Sequence, residues 1–352
     1  MTTYAFVFLI AFALALVTTP LVQRLGQRYG VLDLPSKRKV HERPIPRIGG
    51  VAIFLSVLVA IVPVFGLSND LSRILWGNWK ELLGILVGAF LMLTVGLVDD
   101  IVGLRAITKL ASQVIAAVVA VGTGSVIEAI NLPVIGQVHF GPLGPIVTVV
   151  WIVGLINAVN LIDGLDGLAA GLAAMACAVI AILAVTHKVP LMGIVALALL
   201  GSLLGFLPYN FNPASIFMGD SGSQFLGYVL ATISVVTSQK TTAVVAIGLV
   251  GVVLGVPILD TVTSIVRRLR NGQGVFQADR GHFHHLLMDV GLSHKTAVLF
   301  IYLLTLGVTA IACSILFVRS EVALLAVVLA FVPLLLAWWL VGTIARGKDN
   351  DE

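Results

Sequence analysis

Apolar stretches long enough to cross a lipid bilayer follow one another along almost the whole chain. A transmembrane helix needs roughly 20 consecutive apolar residues, because the hydrocarbon core of a bilayer is about 30 Å thick. Counting windows of this length predicts about eleven helices. The predicted helices cover residues 3–23, 49–67, 81–98, 108–124, 145–162, 168–186, 190–208, 222–238, 242–264, 296–318 and 321–343.

The composition excludes an ordinary soluble protein. Hydrophobic residues make up 59% of the 352 residues and charged residues 11%, far from the composition of soluble domains. The connections between apolar windows are short, and none has the size of a soluble domain. The predicted fold class is therefore all-α, a polytopic helical bundle that forms one integral membrane domain over residues 1–352. Only residues 125–144 depart from it, since prolines and glycines between β-prone pieces predict a small extramembrane hairpin or loop.

The distribution of basic residues predicts the orientation. An odd number of helices places the two termini on opposite sides of the membrane. Most of the 21 Lys and Arg residues fall on one side, above all in residues 24–48 and 265–295. Cytoplasmic loops carry the excess of basic residues in membrane proteins. The amino terminus is therefore predicted outside and the carboxyl terminus in the cytoplasm.

Acidic and histidine clusters from distant parts of the chain then fall on the same predicted cytoplasmic face. They lie in or beside residues 99–108, 163–167, 209–221 and 265–295. Such convergence is typical of a composite active site at the membrane surface, whereas an ion-coupled transporter places its carboxylates near the bilayer midplane. We therefore expect one soluble cytoplasmic substrate and one lipid substrate.

A polar stripe closes the fifth predicted helix. Asn157, Asn160, Asp163 and Asp166 recur at every third position after an apolar run, and residues three apart share a helix face. Uncompensated polar groups in apolar surroundings cost several kcal/mol, so the spacing indicates convergence on one ligand. The alternative is a polar helix end followed by a turn.

Two further acidic motifs indicate cation and phosphate chemistry. The adjacent Asp99 and Asp100 suit a divalent cation or a raised pKa on one of them; a solvated helix end is the alternative. Asp220 lies among small residues at a predicted helix start, which suits a phosphate site with a nearby Mg²⁺ ligand, unless it merely caps the helix. Asn210 offers a neutral oxygen ligand. Lys109 is a candidate phosphate partner or an interfacial lysine.

A histidine-rich loop follows the ninth predicted helix. His282, His284 and His285 lie beside Arg280. A transition-metal site is one interpretation, but the spacing lacks the usual Cys or carboxylate ligands. We favour an anionic substrate, because imidazole and guanidinium groups donate hydrogen bonds to phosphate oxygens. The basic residues 35–50 are interpreted either as a topogenic and lipid-attracting segment or as a clamp for a diphosphate.

These motifs together resemble a known superfamily. They occur in the expected order as Asp99-Asp100, Asn157-x-x-Asn160-x-x-Asp163-Gly-x-Asp166-Gly, Phe217-Met-Gly-Asp220-Ser-Gly and His282-x-His284-His285. The pattern resembles the polyprenyl-phosphate N-acetylhexosamine-1-phosphate transferases, which include the bacterial phospho-MurNAc-pentapeptide translocase. The His-x-His-His form is similar to the GlcNAc-1-phosphate branch. The translocase typically carries three consecutive histidines, so Phe283 counts against that assignment.

The resemblance implies a reaction and a set of residue roles. Undecaprenyl phosphate and UDP-GlcNAc would give undecaprenyl-diphospho-GlcNAc and UMP at the cytoplasmic face of a bacterial plasma membrane, as the first step of a cell-envelope polysaccharide. Mg²⁺ is the implied cofactor, with Mn²⁺ as a substitute. Asp220 would be its principal ligand, with Asp99 and Asn210 nearby. Asp99 or Asp100 would position or deprotonate the lipid phosphate.

The remaining site residues are assigned to the donor by the same resemblance. The stripe would hold uridine and sugar, and the histidine loop with Arg280 would hold the diphosphate or sugar. A one-step attack is preferred to a covalent phospho-enzyme, because a phosphate monoester is already nucleophilic. Enzymes of the superfamily are dimers, so a homodimer is a further expectation, whereas no nucleic acid partner is expected.

Other interpretations remain open at this point. Transfer of phospho-MurNAc-pentapeptide would use the same motifs with a larger donor. A transporter of nucleotide sugars or lipid-linked sugars would explain the helices and the polar clusters, and it predicts ligand movement without UMP release. A lipid-binding assembly protein would explain the basic loops but would leave the acidic clusters without a role.

Overall fold

The computed structural model is a helical bundle with two small antiparallel hairpins. It describes residues 2–35, 43–66, 70–132, 136–240, 243–270, 272, 282–318, 329, 332–337 and 340–341. Its labelled helices are α1 Thr2–Tyr29, α2 Gly49–Ile61, α3 Asp70–Gly77, α4 Trp79–Val102, α5 Ala106–Gly122, α6 Gly144–Ile162, α7 Leu168–Thr186, α8 Pro190–Asn210, α9 Gly219–Lys240, α10 Ala243–Val253, α11 Gly255–Arg270, α12 Phe283–Asp289 and α13 His294–Val318. The strands are β1 Leu32–Asp33, β2 Ile45–Pro46, β3 Ala129–Leu132 and β4 Gly136–His139. Short 3-10 turns occupy Val62–Gly66 and Gly141–Leu143.

The helices confirm a polytopic all-α membrane protein. Within the described residues, seven helices are long and apolar enough to cross a membrane, or eight if the bent pair α10 and α11 forms one span. The hairpin predicted for residues 125–144 is confirmed, because β3 and β4 pair with Ala129 opposite His139. The total of about eleven spans and the opposite placement of the termini stay predictions, since the predicted span 321–343 lies largely outside the described residues.

The prediction of one unbroken helix over residues 242–264 is wrong. The chain bends by 77° between Ile247–Val253 and Gly255–Arg270. Pro257 explains the break, because a proline has no N–H to donate and its ring clashes with the carbonyl of residue i−4, which is Val253. In the first turn of α11 the same proline is tolerated. Residues 242–264, which are apolar enough for a single span, therefore contain parts of two helices that run in different directions.

Helix α9 lies at the centre of the bundle. It contacts α2, α4, α6, α7 and α10, and every side chain from Ser221 to Ser238 is buried. Its hydroxyls bond carbonyls of the preceding turn, as when Thr232 Oγ1 donates to Tyr228 O at 2.8 Å. The polar side chains of α9 can therefore lie within the membrane, because their hydroxyls are hydrogen-bonded and the surrounding helices shield them from lipid.

The start of α9 is in backbone contact with its neighbours. A Cβ built at Gly96 of α4 would lie only 2.3 Å from Asp220 O, so no larger residue fits there without a shift. The carboxyl end of α4 and the amino ends of α2 and α9 therefore meet at one end of the bundle. The acidic motifs lie at this end.

Candidate active site

A short main-chain pairing places the segment that leads into α9. Phe217 N donates to Pro46 O at 2.8 Å, and Gly49 N donates to Phe217 O at 2.9 Å. Gly219 then takes a φ of 73°, which residues with a Cβ rarely adopt, and the helix begins. The first predicted loop and the Asp220 motif are thus fixed to each other, and Asp220 lies in the first turn of α9.

Asp100 caps this helix from the end of α4. Its Oδ1 and Oδ2 accept hydrogen bonds from Asp220 N and Ser221 N, both at 3.0 Å. These amides have no partner inside their own helix, and a carboxylate at a helix amino end is stabilising. Arg47 Nε donates to the main-chain O of Asp100 at 3.0 Å. Asp100 is only 5% exposed, so it does not form a solvated helix end.

Lys109 joins the other two carboxylates. Its Nζ lies 2.8 Å from Asp99 Oδ2 and 3.1 Å from Asp220 Oδ2. Leu104 N donates to the second oxygen of Asp99 at 2.6 Å. Asn160 Nδ2 donates to Asp220 Oδ1 at 2.9 Å. Lys109 therefore points into the acidic cluster and not towards the membrane interface.

The cluster fits a divalent cation. The Lys109 ammonium lies where Asp99 and Asp220 converge, so this position already favours a positive charge. Their oxygens are the hard ligands that Mg²⁺ prefers, and Mg²⁺ usually takes one or two carboxylates together with water and substrate phosphates. No group of three or more His, Cys, Asp or Glu side chains forms a complete protein cage within the described part of the chain. The two carboxylates would thus hold the ion with help from a bound phosphate.

Asp163 lies beside the cluster. It ends α6, and its half-buried carboxyl has no hydrogen-bond partner among the described residues. Burial raises the pKa of Asp163 well above its ordinary value, and the negative charges of Asp220 and Asp100 add to this effect. Asp163 is therefore available to a ligand.

Asp166 instead fixes two loops together. Its Oδ2 accepts hydrogen bonds from Asn212 Nδ2 at 2.9 Å and from Ala214 N at 3.0 Å. Its main-chain N donates to His294 Nε2 at 2.8 Å. The residue connects the turn between α6 and α7 with the segment after α8 and with α13, which is a structural role that the three-residue spacing did not indicate.

The asparagines are used in different ways. Asn157 Nδ2 donates to Gln113 Oε1 at 2.7 Å, so the two amides pair between α6 and α5. Asn160 also bonds Ser223 Oγ at 2.8 Å, which fixes it beside Asp220. Asn210 Nδ2 donates to Ile216 O at 3.0 Å, and its buried Oδ1 has no hydrogen-bond partner among the described residues.

The histidine motif packs against the turn that follows α6. A Cβ at Gly164 would lie 2.9 Å from His284 Nε2, so His284 contacts this turn directly. Burial, followed by the nearby imidazoles, lowers the pKa of His284 to about 3, which makes it neutral at physiological pH. The ring of His285 lies 4.3 Å from that of His284. Arg280 lies outside the described residues.

Polar partners from other helices support this site. Gln113 pairs with the stripe, His294 with the turn after α6, and Asp260 with His282 at 3.1 Å between Oδ2 and Nδ1. Each is a polar residue within or beside an apolar window, and that placement was the available signal. Their partners are more than twenty positions away in sequence, so spacing did not identify the pairs.

The fold and the cluster together define a class of protein. Several helices cross the membrane, and carboxylates, a lysine and amides from α4, α5, α6 and α9 converge at one end of the bundle. A site of this kind suits transfer of a phosphoryl group, where the main demand is stabilisation of charge.

Comparison with known proteins assigns the family. The profile of glycosyl transferase family 4 matches residues 82–238. A probable undecaprenyl-phosphate N-acetylglucosaminyl 1-phosphate transferase of Bacillus subtilis is 37% identical over 84% of this chain and 80% of its own. A decaprenyl-phosphate N-acetylglucosaminephosphotransferase of Mycobacterium tuberculosis is 35% identical over 93% of this chain and 86% of its own. An undecaprenyl-phosphate alpha-N-acetylglucosaminyl 1-phosphate transferase of Pasteurella multocida is 31% identical over 83% and 81%, respectively. The chain belongs to glycosyl transferase family 4.

Proposed function

We propose that this protein transfers GlcNAc-1-phosphate from UDP-GlcNAc to undecaprenyl phosphate, with UMP as the second product. The observation that carries the proposal is the cluster of Asp99, Lys109 and Asp220 above the capped end of α9. The names of these relatives agree in the transferred group and differ in the polyprenyl acceptor. The product would begin a cell-envelope polysaccharide.

The reaction exchanges one phosphorus–oxygen bond for another. A non-bridging oxygen of the lipid phosphate attacks the β-phosphorus of UDP-GlcNAc, which carries the sugar. The bond from that phosphorus to the α,β-bridging oxygen breaks, and UMP leaves with the electron pair. No external oxidant or base is consumed, because the attacking phosphate is already an anion. Binding three phosphates close together is the main difficulty, since they repel one another.

Lys109 and the two carboxylates meet this demand in the proposal. Mg²⁺, or Mn²⁺ in its place, would be held by Asp99 and Asp220 and would neutralise diphosphate charge when bound. Lys109 donates its remaining N–H group to a phosphate oxygen. Asp100 keeps the start of α9 in place, so Asp99 is the better candidate to orient the lipid phosphate.

The stripe forms the donor side of the proposed site. Asp163 carries an unpaired carboxyl beside the cluster, which suits a hydroxyl of ribose or sugar. Asn160 holds Asp220 in position. Asn157 stabilises this side of the site by its hydrogen bond to Gln113, which connects α6 with α5. His282 and His285 contact the donor, whereas the neutral His284 packs against the turn.

The orientation is part of the proposal. A charged nucleotide sugar does not cross a bilayer unaided, and the excess of basic residues near this end of the bundle supports a cytoplasmic location for it. The protein then lies in a bacterial plasma membrane with the site at the inner surface. The acceptor reaches the site laterally from the bilayer.

A transfer assay tests the proposal. Purified protein in detergent is given Mg²⁺, undecaprenyl phosphate and UDP-GlcNAc labelled in the sugar, and both lipid-phase label and UMP are measured. We expect stoichiometric label transfer and UMP release. Asp220→Asn is expected to lower the rate at least about a hundredfold, since it removes a carboxylate that holds Lys109 and would hold the ion that neutralises the phosphates. The exposed Asp289→Asn is the matched control and is expected to retain the parent rate.

The rival functions give different results in the same assay. No transfer with the parent protein, or an unchanged rate in Asp220→Asn, contradicts the proposal. Label that crosses a vesicle membrane without UMP release indicates a transporter. Transfer from UDP-MurNAc-pentapeptide in preference to UDP-GlcNAc indicates the peptidoglycan branch.

A further inference from the structure

Asp260 lies in α11 beyond the bend and is almost completely buried. It is 1% exposed and shares one buried helix face with Ser264, four residues later. A buried carboxylate is costly unless hydrogen bonds compensate it. Its partners therefore indicate what the residue does.

Both oxygens of Asp260 contact the start of the histidine motif. Oδ2 lies 3.1 Å from His282 Nδ1, and Oδ1 accepts a hydrogen bond from Phe283 N at 3.3 Å. Within the described residues, these are the only hydrogen-bond partners of its carboxylate. Asp260 thus connects α11 with the residue that precedes α12, across a segment of the chain outside the described residues.

The contact selects a tautomer of His282. A carboxylate only accepts hydrogen bonds, so the facing Nδ1 must carry a proton. Ser264 Oγ lies 3.5 Å from the same nitrogen. His282 Nε2 has no hydrogen-bond partner among the described residues and is left for a ligand. A hydrogen bond at one nitrogen that determines the state of the other is a common device in functional histidines.

The ring of His282 is also held parallel to its neighbour. It stacks on His284 with a centroid distance of 5.8 Å and an angle of 4° between the planes. His284 lies against Gly164, next to Asp163. The fixed ring of His282 therefore belongs to the same wall of the site as the polar stripe.

We propose that Asp260 is a positioning residue that fixes the ring and the tautomer of His282, so that Nε2 contacts the nucleotide sugar. This inference rests on the proposed function. Asp260 acts only through His282 and touches neither substrate. Its loss therefore weakens the use of the donor and leaves the use of the lipid acceptor unchanged.

Asp260→Asn is the sharpest variant, because it keeps the shape and removes the second acceptor oxygen. If the remaining oxygen keeps Phe283 N, the amide NH₂ faces His282 Nδ1, and the ring proton moves to Nε2. We expect KM for UDP-GlcNAc to rise about tenfold, because a protonated Nε2 no longer accepts a hydrogen bond from a hydroxyl or N–H group of the donor. KM for undecaprenyl phosphate is expected to stay within about twofold, as it should in the control Asp289→Asn.

A double-mutant cycle separates positioning from general damage. If Asp260 acts through His282, then Asp260→Asn has no further effect in a His282→Gln background. Additive effects of the two substitutions, or equal changes in both KM values, overturn the inference. If the parent protein fails to transfer label at all, the proposed function fails instead, and the two failures are thus distinguishable.

A measurement on the unsubstituted protein does not depend on the folding of a variant. The ¹⁵N spectrum of protein labelled in its histidines reports which ring nitrogen carries the proton, and His282→Gln assigns the signal. We expect a protonated Nδ1. A neutral ring with its proton on Nε2 overturns the inference.

Discussion

Substitution of Lys109 by methionine tests the charge balance at the centre of the site. The variant keeps the length of the side chain but loses both contacts of Nζ, at 2.8 Å and 3.1 Å. A hydrogen bond between charged groups contributes about 1.5–3 kcal/mol. The Lys109 and Asp220 side chains are 26% and 29% exposed, and solvent screening reduces the contribution. We therefore expect a loss of about 2–3 kcal/mol for the pair of contacts, less than the roughly 3–5 kcal/mol that breaking a fully buried ion pair costs.

The effect should depend on divalent cations. Unfolding of metal-free protein in detergent is followed by tryptophan fluorescence, with and without Mg²⁺. If Mg²⁺ binds to Asp99 and Asp220 as proposed, it would replace the missing positive charge, and most of the difference between Lys109→Met and the parent should disappear in its presence. The exposed Lys295→Met is the control and should match the parent in both conditions. Equal metal-free stability of variant and parent, or an equal Mg²⁺ response in both, refutes the reasoning.

Three other predictions follow from individual contacts. Gly96→Ala should lower stability by about 1–3 kcal/mol through overpacking against the main chain of α9, measured by thermal unfolding. Gly154→Ala should not, because apart from its own helix backbone no atom lies within 4 Å of the added Cβ. Asp166→Ala leaves two N–H groups without their acceptor and should cost about 1–3 kcal/mol per group, with faster hydrogen exchange in residues 211–215. The folded pKa of His284 is about 3 against an ordinary 6.5, so the unfolded chain binds a proton first and stability falls as pH drops from 6.5 towards 3. His284→Gln should flatten this decline in unfolding measurements over that pH range.

Each of these predictions has an outcome that contradicts it. A Gly96 variant as stable as the parent would show that α4 and α9 are not in close contact. Unchanged exchange in residues 211–215 would mean that Asp166 does not hold that segment. For the histidine, the exposed His187→Gln is the control, and a decline with pH that is the same in the parent and in both histidine variants would contradict the assigned protonation.

The membrane class, the hairpin and the set of polar motifs could all be predicted from the sequence. Apolar length and composition predict spanning helices directly, because a bilayer imposes a length on them. The bend after α10 was not predicted, since residues 242–264 are apolar by count and a proline near a helix start is not by itself a break. Window counting does not distinguish one helix from two.

Individual roles within the site were harder to predict than the set of residues. Asp100 and Asp166 were expected to act on substrate, but their oxygens accept N–H groups from segments far away in sequence. Lys109 was predicted only as one of two options, and its contacts with two carboxylates favour the site. Such pairings depend on how helices pack, which local spacing does not encode.

The capping contact of Asp100 affects how a loss of activity should be interpreted. Two main-chain N–H groups occupy the oxygens of this carboxylate, so it is poorly placed to attack phosphorus or to remove a proton. An inactive Asp100 variant would consequently be no evidence for an aspartyl-phosphate intermediate. It would report a displaced helix start, and only a trapped acyl phosphate on the intact chain would demonstrate a covalent route.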